Sequence, residues 1–116
     1  MLLKEDFDVV CRILGNDIYQ NAKKKGFWTN DQGDLTDVMK LTLAIGEIIE
    51  AVRTLQEGKD APSEKIPGFT VYEEEIADAI IRLMDLAFGR NLRIGEAALA
   101  KNEYNKTREY LHGKKF

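Results

Sequence analysis

Cysteine, histidine and proline are scarce in this sequence. Its 116 residues include one cysteine, one histidine and two prolines. The single cysteine, Cys11, excludes an intrachain disulfide, and the single histidine, His112, excludes the repeated Glu-x-x-His motifs of di-iron helical bundles. No run reaches the ~18–20 apolar residues that a membrane span needs, and the acidic start argues against a signal peptide. The composition predicts one ordinary domain over residues 1–116, located in the cytoplasm and without a membrane partner.

The charge is unevenly distributed along the chain. Seventeen basic and twenty acidic side chains give a net charge of -3, yet the segment 101–116 holds five basic residues against two acids. A generally acidic chain argues against binding a nucleic acid polymer, for which a basic stripe is the usual footprint. An acidic body with a basic end instead suits a metal cluster that faces a phosphate-bearing ligand.

Apolar residues recur with helical spacing in four segments, and no segment alternates with the period of a strand. Glycine-rich and proline-rich connections separate these segments. The pattern therefore predicts an all-α, four-helix bundle-like subunit. We expect a first helix over 4–25, a second from an N-cap at Thr36 or Asp37 to Glu57, a third from the capping box Thr70-x-x-Glu73 to Gly89, and a fourth over 96–111.

Two pairs of carboxylates interrupt the apolar runs of the second and third predicted helices. Glu47 and Glu50 are three residues apart, as are Glu75 and Asp78, so each pair occupies one helix face. Taken singly, either pair is more typical of a solvated helix surface. Two pairs on adjacent helices favour a shared site, in which the like charges either raise one another's pKa or require a cation. Oxygen ligands of this kind suit Mg²⁺, Mn²⁺ or Ca²⁺ rather than zinc.

The ordered set of motifs resembles the MazG-like nucleotide pyrophosphohydrolases of the all-α NTP pyrophosphatase superfamily. The segment "KKGFW" at 24–28 comes first, followed by a Glu-x-x-Glu pair, a Glu-x-x-Asp pair and a terminal Lys-x-x-x-Asn-x-x-Arg element. By this resemblance, Mg²⁺, with Mn²⁺ as a substitute, would be held by Glu47, Glu50, Glu75 and Asp78. The substrate's phosphates would be contacted by Lys101, Asn105 and Arg108.

The resemblance also implies an activity and an assembly. Members of this family hydrolyse nucleoside triphosphates between the α and β phosphates, and they assemble as dimers or tetramers. We therefore expect a nucleoside triphosphate substrate, a role in nucleotide-pool housecleaning and a homodimer or homotetramer. Glu50 is our candidate for the catalytic base, because its pair is embedded in the apolar run.

Several alternatives stay open at the level of sequence. Trp28 is a candidate for stacking on the nucleobase, but Phe27 and Trp28 equally fit a hydrophobic plug between the first two helices. The substrate is either a canonical nucleoside triphosphate or a related one, such as phosphoribosyl-ATP, dUTP or dCTP. A non-catalytic helical interaction module is the alternative from a different class.

Overall fold

The computed structural model describes residues 4–113, and this part of the chain is helical. Four α-helices are followed by a short 3₁₀-helix, and the only strand-like pairing within 4–113 is an isolated bridge between Pro62 and Thr70. The all-α prediction is confirmed. The elements are α1 (Lys4–Lys24), α2 (Asp34–Gln56), α3 (Val71–Gly89), α4 (Ile94–Lys106) and the 3₁₀-helix Tyr110–Gly113.

The ends of α1 and α3 follow local sequence signals. Lysines occupy the last turn of α1, and Gly26 has a φ of 89°, a left-handed conformation that glycine adopts without a steric penalty. At the start of α3, the Thr70 side chain accepts a hydrogen bond from the Glu73 backbone, and the Glu73 carboxylate accepts one from the Thr70 backbone. This reciprocal pair confirms the predicted capping box.

The predicted N-cap of α2 is wrong. The helix begins at Asp34, after Gly33 with a φ of 63°, and no side chain caps it. Both predicted caps are used elsewhere: the Thr36 hydroxyl accepts a hydrogen bond from the Gln32 backbone at 2.7 Å, and Asp37 accepts one from Arg90 at 2.7 Å. A contact to a residue 53 positions away has no signature in the local sequence.

The fourth helix is shorter than the sequence predicts. It ends at Lys106, and the last stretch of the predicted helix becomes the separate 3₁₀-helix. The Thr107 hydroxyl donates to the Tyr104 carbonyl at 2.7 Å, a local bond that competes with helix continuation. Leu111, with a φ of 56°, is also incompatible with a continuous α-helix.

Small residues form the buried interface of the main helix pair. The chief packing contacts join α2 to α3 and α1 to α3, while α4 packs against α1. Ala44 and Ala51 of α2 and Ala79 and Ala87 of α3 are buried, and such small side chains let two helix backbones approach closely. This approach brings the polar faces of α2 and α3 together, which positions the site described below.

The larger apolar side chains remain largely uncovered. Val10 and Ile13 of α1 are 57% and 67% exposed, and Ile45 of α2 is 54% exposed. The radius of gyration is 16.5 Å, compared with about 13 Å for a compact domain of similar length. The apolar faces predicted from the sequence therefore exist, but the chain does not bury them by itself. No helix within the described residues has the length and hydropathy to cross a bilayer.

Candidate functional site

A cavity of about 620 Å³ lies between α1, α2, α3 and the connection that precedes α3. Charged side chains dominate its polar lining, and acids outnumber bases by six to three. The acids are Asp17, Glu47, Glu74, Glu75, Asp78 and Asp85, and the bases are Lys40, Lys65 and Arg82. The excess of negative charge means that an anionic ligand would need a cation to accompany it.

Three of the four predicted metal ligands line this cavity. We call Glu47, Glu75 and Asp78 the acidic end. The Glu47 carboxylate accepts a hydrogen bond from the Arg82 Nε at 3.0 Å, and the Glu75 carboxylate accepts one from the Thr54 hydroxyl at 2.6 Å. Glu47, Glu75 and Asp78, from two separate helices, thus line one cavity, and their role as metal ligands stays a prediction.

The ionised form of Asp78 is disfavoured in the folded protein. Burial raises the pKa of Asp78, and the negative charges of Glu47 and Glu74 raise it further. Lys65 and Arg82 oppose this shift but do not cancel it. The ionised Asp78 is therefore under-compensated in the protein, and a bound cation would relieve that imbalance.

Glu50 lies outside the cavity lining. Its carboxylate is 3.6 Å from the guanidinium of Arg53, one turn along the helix, and the side chain is 56% exposed. Within residues 4–113, no three acidic, cysteine or histidine side chains are close enough to form a metal cluster as they stand. The structure thus brings Glu47, Glu75 and Asp78 to one cavity without Glu50.

The donor chemistry of the acidic end nevertheless fits a divalent cation. Carboxylate oxygens are the ligands that Mg²⁺ and Mn²⁺ prefer. Glu47 and Glu75 each engage a protein donor through one oxygen, so a second oxygen of each carboxylate is available.

Two further residues of this region were missed by the sequence reasoning. The Glu74 carboxylate accepts a hydrogen bond from the buried Ser63 hydroxyl, whose oxygen accepts from the backbone N–H groups of Lys65 and Ile66, each at 3.1 Å. This chain of bonds holds the connection before α3 against the cavity and brings Lys65 to its rim. In the sequence, Glu74 lies within the run "EEE" at 73–75, where acids are common at a helix start, and its separation from Ser63 gives no signal.

The opposite end of the cavity contains a buried ion pair. The Lys40 ammonium donates to Asp85 Oδ2 at 3.2 Å and to the Phe27 carbonyl at 3.3 Å, while the Trp28 indole N–H donates to Asp85 Oδ1 at 2.8 Å. We call Lys40, Asp85 and Trp28 the paired end. Both Asp85 oxygens are satisfied, as a buried carboxylate requires. The available signal was a lone charge in each apolar run, "VMKLTL" and "LMDLAF".

Trp28 is packed into the protein at this end. The ammonium of Lys40 lies 4.1 Å from the ring centroid, and the guanidinium carbon of Arg90 lies 5.1 Å from it. Tyr19 meets the ring edge-on at 5.3 Å, and a Cβ added to Gly89 would lie 2.3 Å from a ring atom. Trp28 does not line the cavity, whereas the neighbouring Phe27, 61% exposed, does. These contacts favour the plug interpretation for Trp28, and its stacking on a base stays a prediction.

The predicted phosphate ligands lie on or just after α4 and do not line the cavity. The Lys101 ammonium is 4.6 Å from the Tyr104 ring centroid, and the Arg108 guanidinium carbon is 5.8 Å from the same centroid. The buried Oδ1 of Asn105 has no hydrogen-bond partner within the described part of the chain. The structure therefore groups these three residues with one another and does not bring them to the acidic end.

Comparisons with protein-family models, curated proteins and solved structures found no match for this chain. The relationship to MazG-like enzymes therefore stays a prediction that rests on the motifs alone.

Proposed function

We propose that this protein is a Mg²⁺-dependent nucleoside triphosphate pyrophosphohydrolase that serves nucleotide-pool housecleaning. It would convert a ribo- or deoxyribonucleoside triphosphate to the monophosphate and pyrophosphate. The observation that carries the proposal is the convergence of Glu47, Glu75 and Asp78, from two helices, on one cavity. Its volume of about 620 Å³ falls within the usual range for small-molecule sites.

The acidic end would hold the metal through Glu47, Glu75 and Asp78, with Glu50 as the fourth predicted ligand. When bound, Mg²⁺ or Mn²⁺ supplies polarisation of the α-phosphate and lowers the pKa of the attacking water. The protein contributes the position of these carboxylates, because α2 and α3 are fixed against each other by their buried alanines. Phe27 and the other apolar lining residues offer a surface for the nucleoside.

In the reaction, the water oxygen forms a bond to the α-phosphorus, and the bond from that phosphorus to the α–β bridging oxygen breaks. Pyrophosphate leaves with the bridging oxygen, and a carboxylate accepts the proton of the water. Glu50 is the predicted acceptor. Its exposed position beside Arg53 does not support this role, so its substitution is an essential part of the test.

The test is pyrophosphate release from a panel of ribo- and deoxyribonucleoside triphosphates with Mg²⁺. We expect the native protein to be active, and we expect Glu47→Gln and Glu75→Gln each to lose roughly 100-fold or more, because a metal ligand is removed. Glu57→Gln is the matched control, since Glu57 pairs with the exposed Lys59. Near-normal turnover in Glu50→Gln would remove Glu50 from the role of base. Full activity in both ligand variants would overturn the proposal.

A related substrate and a non-catalytic interaction module remain the alternative functions. Phosphoribosyl-ATP, dUTP or dCTP would fit the same acidic end, and including them in the panel separates these cases. The specific observation that favours an interaction module is the uncovered apolar surface of α1 and α2. Absence of turnover on every substrate would shift the proposal to that module.

The same apolar surface supports self-association as a homodimer or homotetramer. Exposed side chains such as Val10, Ile13 and Ile45 are costly to leave in water, and a second copy would cover them. Light scattering measures the assembly directly. A monomer mass across micromolar concentrations would contradict this part of the proposal.

A further inference from the structure

Basic side chains that lie outside α4 line the cavity. The residues that the sequence assigns to phosphate binding, Lys101, Asn105 and Arg108, do not line it. Arg82 of α3 and Lys65 of the preceding connection do line it. A third lining cation, Lys40, is already neutralised by its buried contact with Asp85 at 3.2 Å. Arg82 and Lys65 are therefore the cations that a ligand in the cavity would meet.

We propose that Arg82 and Lys65 bind the phosphate groups of a polyphosphate ligand in this cavity. This inference rests on the proposed function and names the residues that would contact the substrate's phosphates. The Arg82 guanidinium is 3.0 Å from the Glu47 carboxylate, and the Lys65 ammonium is 3.8 Å from the carboxylate of Glu74, which adjoins Glu75. They thus flank the carboxylates that would hold the metal.

The Arg82 guanidinium is suited to phosphate binding because only one of its nitrogens makes a hydrogen bond within the described residues. Its Nε donates to Glu47 at 3.0 Å, and its side chain makes no other hydrogen bond within residues 4–113. The terminal NH₂ groups are therefore available for phosphate oxygens, which match the planar fork of arginine.

Lys65 combines a hydrogen-bonded backbone N–H with an exposed side chain. The Ser63 oxygen accepts hydrogen bonds from the Lys65 and Ile66 backbone N–H groups, and the Ser63 hydroxyl is bound by Glu74. The Lys65 side chain is 83% exposed, and its ammonium is 3.8 Å from Glu74, an open and long ion pair. Because such exposed pairs are weak, a phosphate group replaces this contact at little cost.

The test measures binding of inorganic tripolyphosphate by calorimetry, with and without Mg²⁺, so that turnover plays no part. We expect Mg²⁺-dependent binding by the native protein. Arg82→Gln should weaken it roughly 10- to 100-fold, because charge-assisted hydrogen bonds are lost. Lys65→Ala should weaken it several-fold, about 3- to 10-fold, because an exposed ammonium contributes less.

Two matched controls separate local contacts from general charge. Arg93→Gln removes an arginine outside this cavity, beside Glu96, that is 83% exposed compared with 35% for Arg82. Lys59→Ala removes an exposed lysine beside Glu57, and both variants should bind within about 2-fold of the native protein. Circular dichroism establishes that each variant is folded. Lys65 is too exposed to be needed for folding, so Lys65→Ala remains informative if Arg82→Gln fails to fold.

The outcomes distinguish this inference from the proposed function. Arg82-dependent tripolyphosphate binding without pyrophosphate release from any nucleotide would support the inference and oppose the enzymatic proposal. Pyrophosphate release combined with native binding in both Arg82→Gln and Lys65→Ala would retain the enzyme and overturn the inference. No binding of tripolyphosphate by the native protein would also overturn it.

Discussion

The two ends of the cavity differ in how completely their carboxylates are paired. At the paired end, Asp85 uses both oxygens, one for the Lys40 ammonium and one for the Trp28 indole. Lys40 gains a third contact from the face of the Trp28 ring. At the acidic end, by contrast, burial and neighbouring negative charges raise the pKa of Asp78. By helix geometry, the two ends are about 10 Å apart, seven residues along either helix.

The contrast separates a fully paired buried charge from a charge that is incompletely compensated. A buried ion pair with satisfied hydrogen bonds fixes the orientation of its helices, although it contributes little net stability over an apolar pair. Uncompensated carboxylates reduce stability and are typical of sites that bind a cation or perform chemistry. The cavity thus has a paired end that holds α2 and α3 together and an acidic end where the charge of Asp78 is incompletely compensated.

Breaking the paired end should have the larger effect. Asp85→Ala leaves the Lys40 ammonium buried without its carboxylate and leaves the Trp28 N–H without its acceptor. We expect a loss of about 3–5 kcal/mol in the free energy of unfolding, because one partner of a buried pair is removed. Urea denaturation at a fixed protein concentration measures it, and tryptophan fluorescence reports the Trp28 environment.

The double variant Lys40→Met with Asp85→Leu is the matched control. It removes both charges and keeps similar side-chain volumes, so it should recover at least half of the stability lost in Asp85→Ala. A loss below about 1 kcal/mol in Asp85→Ala would show that water or a rearranged side chain compensates Lys40, and the structural role of the paired end would fail.

The sequence predicted the parts of the fold that depend on local chemistry. Apolar periodicity located the four helices, and the Thr70-x-x-Glu73 pattern predicted the start of α3 because both partners of a capping box lie within one turn. The N-cap of α2 was wrong because Asp37 is engaged by Arg90, far along the chain. Side chains with two suitable partners cannot be assigned from local sequence alone.

The candidate site follows the same division. A three-residue spacing places two carboxylates on one helix face, which sufficed for Glu75 and Asp78 to share the cavity. The same spacing did not place Glu50 in the cavity lining. The Glu50 carboxylate is instead 3.6 Å from Arg53 on the same helix. Glu74 was missed because its hydrogen-bond partner, Ser63, lies in the connection before α3. The sequence does not specify the path of that connection.

The role of Trp28 shows why aromatic residues are the hardest to assign. Stacking on a base and packing in a core demand the same apolar ring. The structure supplies the distinguishing observations: an indole N–H bound to Asp85, and a close approach to Gly89 that excludes a Cβ. Both partners lie more than 50 residues away in sequence, so only the tertiary structure reveals that Phe27 is the aromatic residue open to the cavity.

Removing the charge of Asp78 should change the free energy of unfolding less than breaking the paired end does. The direction of that change is the informative result. The pKa of Asp78 is raised by burial and by Glu47 and Glu74, so its ionised form is disfavoured in the folded state. The contribution of Asp78 to stability is therefore present below 3.8, its ordinary pKa, and is lost as the pH rises through the raised pKa. Asp78→Asn lacks this loss, so we expect it to be at least as stable as the native protein at neutral pH, by urea denaturation.

Adding Mg²⁺ should make the native protein more stable than Asp78→Asn, because a ligand that binds the folded state stabilises it more as its concentration rises. The native protein should gain stability with rising Mg²⁺ concentration, whereas Asp78→Asn, which has lost a charged ligand, should gain less. At the paired end, the Lys40→Met and Asp85→Leu double variant should respond to Mg²⁺ like the native protein. Equal Mg²⁺ responses in native protein and Asp78→Asn would mean that the negative charge of Asp78 is not held for a metal, and the distinction between the two ends would lose its functional meaning.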